Sequence, residues 1–214
     1  MTTRDQRPSR NEGRDAILQA AVAQMSIRGP RGVRPNEICR DLNLSKSLVN
    51  FHFGGRDGLI AEAIALAYDT SVSQLWEKAM NAGSDALDRL IAWVQSDINW
   101  AIENPGLAAA MTFPTQAIDS DDAIEPQIRE RIADAAKRKR ESLDQLVNDA
   151  IRAAGKNPSD DQRLLVTGTI EWLTTGLSIS SAGISNINDA LSMKHNVDAA
   201  MPRLISTIKA QING

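Results

Sequence analysis

The stretch Arg34 to Phe53, RPNEICRDLNLSKSLVNFHF, constrains the chain more than any other, because its residues spell two short helices joined by a tight turn. Pro35 suits the first position of a helix, where its missing N–H would be unpaired anyway, and Glu37 favours the positive helix start. Ile38, Cys39 and Leu42 then give one turn of apolar face before Asn43, a residue that tolerates the left-handed conformation a sharp turn needs. Leu44 plugs the turn and Ser45 can cap the next helix, on which Leu48, Val49 and Phe53 form a second apolar stripe. Lys46, Ser47, Asn50, Phe51 and His52 are left on the outward face. Two helices meeting steeply around such a turn form a helix-turn-helix, whose second helix can enter a major groove.

Charge separates this segment from the rest of the chain. Residues 1–58 hold ten Lys and Arg against six Asp and Glu, a net charge of +4, while the remainder holds fourteen against twenty-one, a net −7. A basic part that attracts phosphates, carried by an acidic body that repels them, is the split expected of a DNA-binding domain attached to a regulatory one. We therefore expect a DNA-binding domain over residues 1–58, with residues 1–12 as a flexible basic arm, and a helical regulatory and dimerisation domain over 59–214. The competing reading is a helical protein-interaction module whose helix-turn-helix does not bind DNA.

The residues around the motif resemble the TetR/AcrR family of transcriptional regulators. The resemblance begins with Arg14, Ile17, Leu18, Ala20, Ala21 and Gly29, passes through Ile38, Leu44, Ser45 and Lys46, and ends on Phe51-His52-Phe53, Gly54, Arg56 and Leu59. It covers the first quarter of the chain. Arg34 stands where the family usually has Thr, Asn43 where it has Gly, and Leu48, Val49 and Asn50 where Thr, Leu and Tyr are common. The resemblance implies that Ser45, Lys46, Ser47, Asn50 and Phe51 approach bases or the adjoining backbone of a double-stranded operator, and that Arg34, His52 and Arg56 hold phosphates. Asn50 is the best candidate for a base edge, since its amide can pair bidentately with adenine. The resemblance also implies a body that binds a small apolar or amphipathic effector, with Trp93, Trp100, Met111, Phe113 and Trp172 as candidate walls, and repression relieved by that effector.

Downstream, helical periodicity continues almost without strand signals, so the fold class is all-α. Helices are expected over 13–28, 56–82, 84–103 and 124–154, with a short one within 106–118. The next, about 160–185, carries Val166, Ile170, Leu173, Leu177 and Ile184 as a core stripe and a second stripe of Leu165, Trp172 and Ile179. Thr169, Gly176 and Gly183 lie between them at intervals of seven. A helix apolar over half its circumference must be buried on two sides, and glycines on one face suggest close approach by another backbone. A last helix is expected over 197–213, its start blurred by Pro202. The two terminal helices are expected to pair with their copies in a homodimer, through Leu165, Thr169, Trp172, Gly176, Ile179, Gly183, Leu204 and Ile208. That pairing is the usual dimer of the resembling family.

Other chemistry finds little support. His195 is expected in a polar loop, the basic run Lys137 to Arg140 on a solvated face, and Asp119 to Asp122 in a loop of helix-capping acids. No zinc spacing, Gly-rich phosphate loop or G-x-S-x-G turn is present, so neither metal, cofactor nor enzymatic activity is expected. The N-terminus lacks an apolar signal segment, and Leu164 to Ser185 is too rich in Ser, Thr and Gly for a membrane span. A reducing cytoplasm, with Cys39 as a buried core residue, fits these features.

Overall fold

The computed structural model describes residues 10–112, 126–181 and 187–213. Among these residues it is built of nine α-helices and one 3-10 turn. The helices are α1 (Arg10–Arg28), α2 (Pro35–Asp41), α3 (Ser47–Phe53), α4 (Arg56–Met80), α5 (Ala86–Glu103), α6 (Pro105–Thr112), α7 (Pro126–Ala153), α8 (Asp160–Ser181) and α9 (Ile187–Asn213), with the 3-10 turn at Pro30–Gly32. None of them is long and apolar enough to cross a membrane.

Helix α4 organises the packing. Its 25 residues span about 37 Å at 1.5 Å per residue. Leu59, Ile60, Ala61, Ala63, Ile64 and Ala65 are all fully buried, so the first half of the helix is enclosed on nearly every side. Around it gather Ile17, Leu18, Ala21 and Met25 of α1, Ile38 and Cys39 of α2, Val49 and Phe53 of α3, Leu107 and Met111 of α6 and Ile128 of α7. The second half of α4 contributes Leu75 and Ala79 to another cluster with α5, α7, α8 and α9. Residue 58, where the sequence suggested a division, falls in the first turn of this shared helix.

Side-chain caps start α5 and α8. Asp85 caps α5 by accepting from Leu87 N–H at 2.9 Å and Asp88 N–H at 3.0 Å. Ser159 does the same for α8 through Gln162 N–H at 3.1 Å. Two glycines allow close approaches that no other residue could make. A Cβ on Gly58 would lie 1.8 Å from Phe53 O, and one on Gly106 would lie 2.1 Å from Met25 O and 2.3 Å from Gly29 N. The second contact presses the start of α6 against the end of α1.

Several expectations need correction. Helix α9 begins at Ile187 and runs through Pro202 without a break, so His195 is helical and exposed rather than in a loop. Met193, Val197, Met201, Leu204, Ile208 and Ile212 form one stripe along it, and this burial outweighs the single hydrogen bond that proline forfeits. Ile208, expected at a dimer interface, is completely buried in its own core, whereas Leu173, expected in the core, is 47% exposed. Leu204 is partly buried against that same core. The basic run Lys137 to Arg140 is not merely solvated: Arg138 pairs with Asp69, Lys139 with Asp97 at 2.7 Å and Arg140 with Glu171 at 2.8 Å, each on a different helix. Phe113, Asp119 to Asp122, Gly183, Ile184 and residues 1–9 of the arm lie outside the described residues.

Cys39 is fully buried, and burial pushes its thiol up, with the nearby Lys46 charge only partly opposing this. A thiol reagent should therefore modify the native chain no faster than it unfolds. Rapid labelling in native buffer would contradict the placement of α2.

Candidate nucleic-acid interface and candidate effector cavity

The reading unit is built from the turn outward. Asn43 adopts φ 53°, the left-handed value the turn requires, and Leu44 N–H reaches back to Cys39 O at 2.7 Å. The Ser45 carbonyl accepts from Leu48 N–H at 3.1 Å and its hydroxyl from Ser47 N–H at 3.4 Å, which starts α3. Val49 and Phe53 are buried, and their anchoring turns Lys46, Ser47, Asn50 and Phe51 to solvent. Phe51 is 58% exposed, an unusual position for a large flat side chain. Gly54, at φ 68°, accepts the left-handed turn that ends α3 and donates to Asn50 O.

Three of the expected DNA contacts are placed differently from this outward group. Arg56 donates to Pro30 O at 2.8 Å and Val33 O at 3.4 Å, so its guanidinium clamps the 3-10 turn to α4. Arg34 is exposed but folds onto Arg31 O at 2.5 Å, while its backbone N–H meets Gln24 Oε1. His52 packs edge-on against Phe51 and Phe53, and its Nε2 is buried without a hydrogen-bond partner among the described residues. A nitrogen shut away from solvent cannot reach a phosphate, so only the Nδ1 edge of His52 is available for one. The motif signature identified these positions by type; it carries no information about which way a long side chain folds.

A ladder of charge ties the reading unit to the body. Arg14 of α1 lies 5.2 Å from the Phe53 ring and donates to both Glu62 oxygens at 2.6 Å. Arg131 of α7 bridges Glu62 at 3.7 Å and Asp69 at 3.1 Å, and Arg138 joins it on Asp69. These partners are far apart in sequence, and no local pattern could have revealed them.

The next residues of α7 wall a cavity of about 670 Å³ between α4, α5, α6, α7 and α8. The structure brings Trp93, Trp100, Met111 and Trp172 to this cavity, and adds Tyr68, Asp97 and Lys139, which the sequence reading did not single out. Trp93 is 1% exposed, Trp172 82%. The Tyr68 hydroxyl donates to Met111 O at 2.9 Å. Burial, and secondarily the Asp97 charge, pushes this phenol up. Another depression of about 720 Å³, lined by Lys156, Asn157, Asp161, Gln162, Leu165 and Gln211, lies at the N-terminal end of α8. It is shallower and has no aromatic wall, so the first cavity is the better receptor for a small molecule. No group of three His, Cys, Asp or Glu among the described residues could hold a metal ion.

The comparisons with known proteins agree with this architecture. No curated protein matches the sequence. Solved structures do match along nearly the whole chain. A bacterial regulatory protein of the tetR family from Rhodococcus RHA1 shares 18% identity, covers 89% of this chain and 96% of its own, and superposes with a TM-score of 0.58. A TetR transcriptional regulator from Streptomyces coelicolor shares 22%, with coverages of 89% and 97% and a TM-score of 0.52. The regulator FadR from Bacillus subtilis, in complex with stearoyl-CoA, shares 14%, with coverages of 88% and 97% and a TM-score of 0.57. At these identities the structures establish the fold alone. Residues 17–63, which hold α2, α3 and their supports, match the family model for bacterial regulatory proteins of the tetR family. This chain is therefore similar to bacterial regulatory proteins of the tetR family over residues 17–63, and beyond them it shares its fold with tetR-family structures.

Proposed function

We propose that the chain is a homodimeric repressor that reads a palindromic operator through α3 and leaves it when a small molecule occupies the cavity beside α7. The observation that carries the reading is the outward group of α3. Lys46, Ser47, Asn50 and Phe51 are exposed on a helix whose opposite side is locked by Val49 and Phe53. A rigid helix presenting donors and one flat ring is what base-edge recognition requires. Residues 1–58 act as the reading domain and 59–214 as the regulatory one.

The dimer reading is supported by an apolar face of α8 that nothing among the described residues covers. Leu164, Leu165 and Ile179 are 65%, 59% and 48% exposed, and Trp172 protrudes beside Gly176, where an added Cβ would meet nothing within 4 Å. Contiguous apolar surface of this kind marks an interaction site. Two copies joined there carry two reading helices, and half-sites one turn apart would lie about 34–36 Å from each other. An effector fits the neighbouring structures as well, since the Bacillus subtilis FadR was solved with stearoyl-CoA. A ligand that favours the wrong separation of the reading helices lowers operator affinity through a coupling of about 1–3 kcal/mol.

Selection of bound sequences from random duplex DNA tests the proposal. A palindromic winner is expected. Asn50→Ala should relax preference at one position of each half-site, and Lys46→Ala should weaken all sequences while reducing the salt slope by about 1. Weak, sequence-independent binding by the unaltered chain would instead favour the helical interaction module.

A further inference from the structure

The cavity contains two buried polar atoms that nothing among the described residues satisfies, and both belong to one turn of α5. Asp97 Oδ1 accepts from Lys139 Nζ at 2.7 Å, but among the described residues Asp97 Oδ2 has no partner, and neither does Trp93 Nε1. The Asp97 side chain is 6% exposed. Burying an acceptor in this way is costly unless something in the functional cycle donates to it. Tyr68 cannot, because its only proton already goes to Met111 O.

The charges of the lining fix what kind of donor is admissible. Asp97 is balanced by Lys139, and Glu171 accepts from Arg140 at 2.9 and 2.8 Å. Lys137 lies 3.8 Å from Glu141. An anionic ligand would compete for Lys139, which also lies 5.7 Å from the Trp93 ring centroid, and would leave a carboxylate buried without its counter-ion. A cationic ligand at Oδ2 would be repelled by the ammonium already held on Oδ1. An uncharged donor meets neither penalty. The indole N–H of Trp93, one turn away, asks for an acceptor, and a hydroxyl or an amide supplies both functions in one group. Trp93, Trp100 and Tyr68 offer flat apolar walls.

We propose that the effector is an uncharged aromatic molecule bearing a hydroxyl or amide group, which donates to Asp97 Oδ2 and accepts from Trp93 Nε1. The proposal rests on the reading of this cavity as the effector site. It distinguishes the chain from a regulator of anionic lipids, whose ligand would need cations not already committed to internal partners.

Calorimetric titration of the full-length protein with three matched probes tests it. These are 2-naphthol, which can donate; 2-methoxynaphthalene, which has the same rings but cannot; and 2-naphthoate, which is anionic. The expected result is that 2-naphthol binds about ten-fold more tightly than either of the others, the difference one satisfied hydrogen bond to a charged acceptor makes. In Asp97→Leu/Lys139→Met, which removes the ion pair as a unit, 2-naphthol and 2-methoxynaphthalene should bind alike. If that variant does not fold, the series on the unaltered protein decides alone. Equal binding of all three probes, or a preference for 2-naphthoate, overturns the donor inference and leaves the cavity reading in place. Failure of every probe to bind overturns the cavity reading, and this proposal with it.

Discussion

Gly106→Ala will lower the melting temperature by about 4–12 °C, taking about 2–3 kcal/mol of overpacking and about 2–4 °C per kcal/mol. The methyl would stand 2.1 Å from Met25 O, 2.3 Å from Gly29 N and 2.7 Å from Gly29 Cα. All three are backbone atoms, so no side chain can rotate away, and α6 must separate from the end of α1. Since α1 packs under the helix-turn-helix, the same substitution should also change operator affinity through the position of the reading unit. Gly13→Ala supplies the contrast. It lies in α1, where an added Cβ would meet only Leu44 side-chain atoms at 3.8 and 3.9 Å, an ordinary contact. Removing a helical glycine there should stabilise the protein by about 0.5–1 kcal/mol. Thermal melts of the two variants should therefore move in opposite directions, and an unchanged or raised melting temperature for Gly106→Ala would mean that the α1–α6 contact is not tight.

The tightly packed glycines show what a sequence can and cannot disclose. The helix-turn-helix was legible because its determinants are contiguous: Pro35 starts one helix, Asn43 makes the turn, and the stripe ending at Phe53 fixes which side of α3 faces out. Gly106 and Gly58 gave no such signal, since each is required by a backbone from another element. The same limit explains the charges. Lys137 to Arg140 read as a solvated run because their neighbours in sequence are acidic, yet three of the four find partners 31 to 69 residues away. On α8 and α9 the apolar surface was recognised but divided wrongly, because a stripe covering half a helix leaves its border residues undecided. Leu173 and Ile208 lie at that border, and only packing assigns the first to solvent and the second to the core. Of the cavity, the tryptophans were named as candidate walls through the resemblance, whereas Asp97 was not singled out, because only the packing of α7 brings Lys139 over it.

Glu62→Gln should destabilise the chain by about 2 kcal/mol and loosen the reading unit at the same time. Glu62 has a side chain only 13% exposed, and two guanidinium groups converge on it, Arg14 at 2.6 Å and Arg131 at 3.7 Å. Breaking a fully buried pair costs about 3–5 kcal/mol because a charge is left without compensation. The estimate here is smaller because Arg14 and Arg131 are 32% and 45% exposed and keep part of their hydration. Neutral glutamine keeps one acceptor oxygen but cannot balance two cations. Arg14, released from one side, would also lose its fixed position near Phe53, the last residue of α3. Operator affinity should fall with stability, while binding of 2-naphthol to the cavity, if it occurs in the unaltered protein, should be preserved because Glu62 does not line it. Arg14→Met/Glu62→Gln provides the decisive comparison. Removing both partners should cost less than the sum of the two single changes by at least about 1 kcal/mol, as expected for groups in direct contact. Simple additivity in chemical denaturation would show that Arg14 and Glu62 do not act as a pair, and the charged ladder from α7 to the recognition helix would then lose its first rung.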